Sequence, residues 1–209
     1  MGREKTVART QSHPESTLHF LHGARTIGTQ KGDSMVLGMS LSTFTALHVL
    51  ISLVGIGSGF LVVYGMLRSR SFDGATAIFL LTTVLTSATG YLFPFHHLLP
   101  SHILGAISLV VLVLAIYARY AQHMERSWRW IYVVSAVIAL YLNVFVLVAQ
   151  SFMKVPALNA LAPTQTEPPF AITQLIVMAI FIVLGVLAVK KFRIASVAVE
   201  PAWTRSKAS

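Results

Sequence analysis

The sequence predicts an all-α integral membrane bundle of five transmembrane helices joined by short loops, and three observations carry that prediction. Hydrophobic residues make up 55% of the 209 residues and charged residues only 11%, against about 25% charged in a soluble domain. With a mean hydropathy of +0.72, too few polar side chains remain to cover a compact surface in water. The apolar residues also gather into five charge-free runs, and Lys and Arg lie between those runs.

The runs occupy about 41–67, 75–95, 102–118, 130–150 and 171–189, and none contains Lys, Arg, Asp or Glu. Each approaches the roughly 20 residues that cross a hydrocarbon core of about 30 Å. Helices are the form that pairs every backbone group internally, whereas an open sheet would leave edges unpaired in lipid. Between the first two runs, Arg68-Ser69-Arg70-Ser71-Phe72-Asp73-Gly74 has room only for a tight hairpin, with Ser71 or Asp73 placed to cap the second helix. Pro94 lacks an amide hydrogen and should end or kink that helix, and Ser101 is a candidate cap for the third. The stretch 151–170 holds Pro156, Pro163, Pro168 and Pro169, which makes it an ordered or interfacial loop and not a sixth span. No internal repeat is apparent, and an odd number of spans argues against two equal inverted halves.

Orientation follows from the basic residues, because short loops rich in Lys and Arg stay on the cytoplasmic side. One set of loops holds Arg68, Arg70, Arg119, Arg126, Arg129, Lys190, Lys191, Arg193, Arg205 and Lys207, and the opposite set holds Lys154. The expected arrangement is therefore N-terminus outside and C-terminus cytoplasmic. The formal charge of +9 is then mostly a rim at the membrane, where it meets anionic lipid, and no nucleic-acid partner is expected, although Arg3, Lys5, Arg9, Arg25 and Lys31 ahead of the first run would have to lie outside. Residues 1–34 form a polar tail, read either as a disordered arm or as residues ahead of a true start at Met35 or Met39. Residues 35–195 form the membrane domain and 196–209 a cytoplasmic tail. In hydropathy pattern alone the chain resembles small multi-span proteins of bacterial inner membranes, and that membrane is its expected location.

Counting about 20 residues outward from the basic rim brings His48, His96, His97, His102, Gln150 and Gln174 to one level at the opposite face. His48 shares its helical face with Ser52, Gly55 and Gly59, and the small-xxx-small spacing of Gly55 and Gly59 invites a close helix neighbour, including a partner membrane protein. Thr82, Thr86, Gly90 and Phe93 form a stripe on the second span, and Tyr132, Ser135, Asn143 and Gln150 one on the fourth, so a polar seam is expected inside the bundle. Asn143 and Thr86 are read as interhelical glue.

Imidazole binds haem iron, copper and zinc. His48, His97, His102 and Gln150 are the candidates for holding a haem b, with Gln174 as a further supporting group. His96, His97 and His102 are the candidates for a divalent metal, with Met153 as an aid to copper. The competing reading is that these residues sit at the water interface, the least costly place for polar side chains in a membrane protein. The spacing H-H-x4-H is not a specific metal signature.

The chain has no cysteine, which excludes disulfides, thiolate metal sites and iron–sulfur clusters. The spans hold no carboxylate to serve as a base, so no catalytic residue is assigned. Gly55-Ile56-Gly57-Ser58-Gly59 lacks the strand and lysine of a phosphate loop and reads as a packing segment. Three functions remain: a non-catalytic accessory or assembly protein, expected first; a haem- or metal-binding redox protein using the outer histidines; and a carrier or channel for a small neutral solute along the seam.

Overall fold

A computed structural model describes residues 35–93 and 100–193 of the chain; the expectations for residues 1–34 and 196–209, and for His96 and His97, lie outside the described residues. A two-residue pairing opens the described chain, with β1 (Met35–Val36) antiparallel to β2 (Met39–Ser40). The connecting Leu37 and Gly38 both have positive φ, 53° and 76°, the combination a two-residue hairpin requires. Ser40 then caps α1 (Leu41–Leu67), its hydroxyl accepting from the Thr43 amide at 3.2 Å.

The remaining elements are α2 (Asp73–Gly90), α3 (Pro100–Ile116), α4 (Trp128–Lys154), α5 (Pro156–Leu161) and α6 (Pro168–Lys191). A π-helical turn, Tyr117–Ala121, continues α3. Helix α1 has the boundaries the sequence predicts. The prolines of the fourth loop start α5 at Pro156 and α6 at Pro168, the first helical turn being where a missing amide hydrogen costs nothing.

Among the described residues, four helices are long and apolar enough to cross a membrane: α1, α3 with its π turn, α4 and α6. Helix α2 falls short of the second predicted span. It has 18 residues, includes five threonines, and ends at Gly90 where the sequence suggested Phe95. The amides of Tyr91 and Leu92 bond to the carbonyls of Ala88 and Thr89 at 3.2 and 3.0 Å, three residues back in each case. The α-helix thus closes in a tighter turn of the 3₁₀ type before Pro94 is reached. Ser71 and Asp73 do not cap α2, which begins after Phe72 without a side-chain cap.

Helices α1, α2, α3 and α4 form a ring in which each packs on the next and α4 closes back on α1; α6 lies against α1 and α4. The core runs along the ring axis through Met66, Phe79, Leu112, Tyr132, Ala136 and Leu140, all close to fully buried. Gly59 sets the closest approach. A Cβ there would stand 2.6 Å from Leu140 Cδ1 and 2.9 Å from the Phe79 ring. Gly55 packs in the same way on Thr82 and Thr83. The Gly55/Gly59 face that invited a partner protein is thus filled by α2 and α4 of the same chain, because a face without side chains accepts the nearest ridge available.

The α1–α2 hairpin depends on Gly65 for the same reason. The chain turns back through Ser69, at φ 51°, and the Arg70 amide bonds to the Gly65 carbonyl at 2.8 Å. A Cβ at 65 would lie 2.9 Å from both the Arg70 carbonyl oxygen and the Phe72 ring.

Gly59→Ala should destabilise the protein by about 1–3 kcal/mol through overpacking. Gly57→Ala, where nothing lies within 4 Å, should stabilise it by roughly 0.5–1 kcal/mol through helix propensity. Thermal unfolding of both variants in the same detergent checks the opposite signs.

Candidate functional site

The bundle has two chemically distinct ends. At one end the carbonyls that finish α6 are captured by other elements: the Ser69 hydroxyl donates to Lys191 O and the Arg129 guanidinium to Phe192 O. Ser69 lies in the α1–α2 turn and Arg129 in the first turn of α4, so Arg68, Arg70, Arg129, Lys190, Lys191 and Arg193 gather at this basic end. These bonds satisfy carbonyls that a helix terminus leaves open.

Arg119, in the π turn at the same end, behaves differently from the rim residue that sequence reasoning made it. Its side chain is only 7% exposed, whereas its partner Asp73 is 82% exposed. One guanidinium nitrogen donates to Asp73 Oδ1 at 2.5 Å and to Ser71 Oγ at 3.2 Å. The guanidinium carbon lies 5.2 Å from the Tyr132 ring centroid, and Met124 Sδ is 3.7 Å from the other terminal nitrogen. Arg119 therefore ties the end of α3 to the start of α2 across the first turns of α4, and the charge stays paired while its stem is buried. The sequence did hold a signal for this: Arg119 directly follows an apolar run, and Asp73 is the first acid after residue 34.

Between the two ends, the predicted polar seam is present but closed on itself. Asn143 Nδ2 donates to Thr83 Oγ1 at 3.1 Å across the ring. The Ser87 hydroxyl donates to Ser108 on α3 at 3.0 Å, and the Ser52 and Thr86 hydroxyls meet at 3.3 Å. Two stripes share the work. The predicted stripe of Thr82, Thr86 and Gly90 faces α1, and a second, Thr76, Thr83 and Ser87, points to the ring interior. Asn143 and Thr86 thus join helices, as their reading as glue required.

At the other end, His48 and His102 both approach the C-terminal turn of α2, from α1 and α3 respectively. His48 Nδ1 lies 2.9 Å from Thr89 Oγ1, and its ring meets Phe93 edge-on at 5.2 Å. The Thr89 hydroxyl spends its proton on Leu85 O, 2.6 Å away. It therefore accepts from His48 Nδ1–H, which leaves the lone pair on Nε2. His102 is buried, with its ring 5.4 Å from that of Tyr91. The Tyr91 hydroxyl donates to the His102 carbonyl at 2.7 Å and the ring packs over Gly105.

Gln150 is exposed at the end of α4, and Met153 is also exposed. Gln174 is buried and donates from Nε2 to Phe145 O at 3.1 Å, joining α6 to α4, while its Oε1 is buried without a hydrogen bond. No group of three or more His, Asp or Glu side chains is placed to hold a metal among the described residues.

Two tests follow from this geometry. In a double-mutant cycle of Asn143→Leu and Thr83→Val, unfolding in detergent should give a coupling of about 0.6 kcal/mol, with 1.7 as an upper bound. At the basic end, the Ser71 hydrogen bond, opposed by partial desolvation and helped by the Arg119 guanidinium, holds the Asp73 carboxyl below its usual range. A depressed carboxylate stabilises the fold in full above its unfolded pKa, and the contribution disappears as pH falls through the folded value. Asp73→Asn should therefore cost on the order of 0.2–1 kcal/mol at neutral pH, the range for a pair with one exposed member, and nothing at the acid end. Arg119→Gln, which also loses the Tyr132 contact, should cost more than Asp73→Asn at pH 7; unfolding midpoints from pH 7 to 2 measure both. Compared with protein-family models, curated proteins and solved structures, the chain shows no match, so its site is read from this geometry alone.

Proposed function

We propose that the protein is a five-span integral membrane bundle with a non-catalytic, accessory or assembly role, set in a bacterial inner membrane with its basic end cytoplasmic and its N-terminus outside. The observation that carries the membrane reading is the polarity of α2. Its outward stripe is Ile78, Leu81 and Leu85, all exposed, while its buried face carries Thr76, Thr83 and Ser87 beside Phe79 and Leu80. A helix in water wets its polar face; an exposed stripe of large apolar side chains with the hydroxyls turned inward suits a lipid surround.

This also supports α2 as the fifth span despite its composition. At one end it meets Arg119 and at the other His48 and His102, so it runs beside α1 from about His48 onward and beside α3 from His102 to Arg119. Its 18 residues rise roughly 27 Å, close to the hydrocarbon thickness of about 30 Å. The accessory role rests on the closed seam. The side chains of Thr83, Thr86, Ser87, Ser108 and Asn143, which a solute path would use, are engaged across the helices, which favours a scaffold over a carrier.

One observation favours a second reading, a haem- or metal-binding redox protein. His48 holds its Nδ1–H on Thr89 and keeps Nε2 as the bare donor atom, the arrangement a metal-ligating imidazole takes. His102 approaches the same turn of α2, and the sequence between Phe93 and Pro100 holds His96 and His97.

Because the chain has no cysteine, single cysteines report topology without background. Arg70→Cys and Ser127→Cys should react with a membrane-impermeant maleimide from the same side, and Leu161→Cys from the opposite side. If α2 did not cross, positions 70 and 127 would label from opposite sides. The redox reading requires a Soret band or stoichiometric metal in protein purified in mild detergent; a featureless spectrum with background metal content removes it.

A further inference from the structure

Helices α4 and α6 run antiparallel and leave an apolar groove of about 490 Å³ between them. Its walls include Val134, Val137, Tyr141 and Phe181, Gly185 forms part of its floor, and Lys190 is its one charged residue. From Lys190 to Met178, the farthest lining residue along α6, twelve residues of helix rise roughly 18 Å. One leaflet of a hydrocarbon core of about 30 Å measures roughly 15 Å. The groove thus begins at the basic end and runs inward for the depth of a single leaflet. Lys190 is exposed at its mouth, and among the described residues no carboxylate pairs with it. Lys191, Arg193 and Arg129 belong to the same end of the bundle.

We infer that this groove binds one anionic phospholipid of the adjacent leaflet, with an acyl chain between α4 and α6 and the headgroup phosphate at Lys190. The inference rests on the membrane reading above. Shape and charge point to the same occupant: the walls offer an acyl chain only dispersion contacts, and the mouth offers a phosphate an unpaired cation. Gly185 leaves the floor open. A Cβ there would stand 3.5 Å from Val137 Cγ1, an ordinary contact, so the first carbon of a side chain at 185 is accommodated beside the groove.

The test is native mass spectrometry of the full chain in mild detergent, titrated with palmitoyl-oleoyl phosphatidylglycerol or with the matching phosphatidylcholine. The expected result is one phosphatidylglycerol retained per chain, held at least fivefold more tightly than phosphatidylcholine. Gly185→Leu should weaken retention of both lipids at least tenfold, with helical content and elution volume unchanged. Val186→Trp, which narrows the groove from its exposed rim, serves the same purpose should the first variant misfold. Lys190→Gln should keep the acyl chain and bring the two lipids within twofold of each other.

Equal phosphatidylglycerol retention by the wild type and both groove-filling variants overturns the inference, as does an undiminished preference in Lys190→Gln. So does a wild-type dimer that Gly185→Leu splits, which would assign the groove to a second copy of the chain. Carbonate extraction separates the two levels of argument. A chain that leaves the membrane fraction loses the membrane reading itself, whereas one that stays there yet retains no lipid loses only this inference.

Discussion

The hydroxyl groups of α2 govern how the other helices are arranged. A threonine or serine in an apolar surround must find a hydrogen-bond partner, since burying it unpaired costs roughly 1–3 kcal/mol. Helix α2 meets part of that demand in its own backbone, Thr76, Thr82 and Thr89 donating one turn back, and part with three neighbours: α1 through Ser52 and His48, α3 through Ser108, and α4 through Asn143. Each bond to a neighbour fixes both a partner and a register along its axis. The ring of α1 to α4 is the arrangement that serves all of them together, and the close approach it needs is met where Gly55 and Gly59 remove side chains from α1.

Arg119 extends that logic to the basic end. A guanidinium at the foot of an apolar helix has either to reach water or to find a partner, and here the carboxylate of Asp73 reaches in from the solvent side. The π turn that carries Arg119 departs from regular helix where the side chain must meet Asp73, Tyr132 and Met124 together. Such turns concentrate where local geometry serves a specific contact. Together with the capture of the α6 carbonyls by Ser69 and Arg129, this makes the basic end a braced structure as well as a charged rim.

The two ends consequently suit different tasks. The basic end has positive charge beside an apolar groove, which is the chemistry of lipid contact. The opposite end carries two imidazoles and aromatic rings around the last turn of α2, where His48 presents a bare ring nitrogen next to Phe44 and Phe93. An accessory protein would use the first end for placement in its membrane.

Composition and spacing determined the all-helical class, the apolar runs behind the four long helices, the boundaries of α1, and the gathering of basic residues between the runs. These follow from local rules, because backbone pairing in an apolar surround and the reach of a helix depend on a segment's own residues. The stretch 151–170, which composition and spacing assign to a loop, continues α4 to Lys154 and holds α5 and the start of α6. Tertiary structure alone decided the rest. It showed that Arg119 is buried and not part of an open rim, that the Gly55/Gly59 face is filled from within the chain, that Ser71 and Asp73 serve Arg119 and not a helix cap, and that Thr76, Thr83 and Ser87 form the inner stripe of α2. Each of these turns on which helix stands opposite a given face. A helical period shows which residues share a side, but only packing supplies the neighbour that side meets.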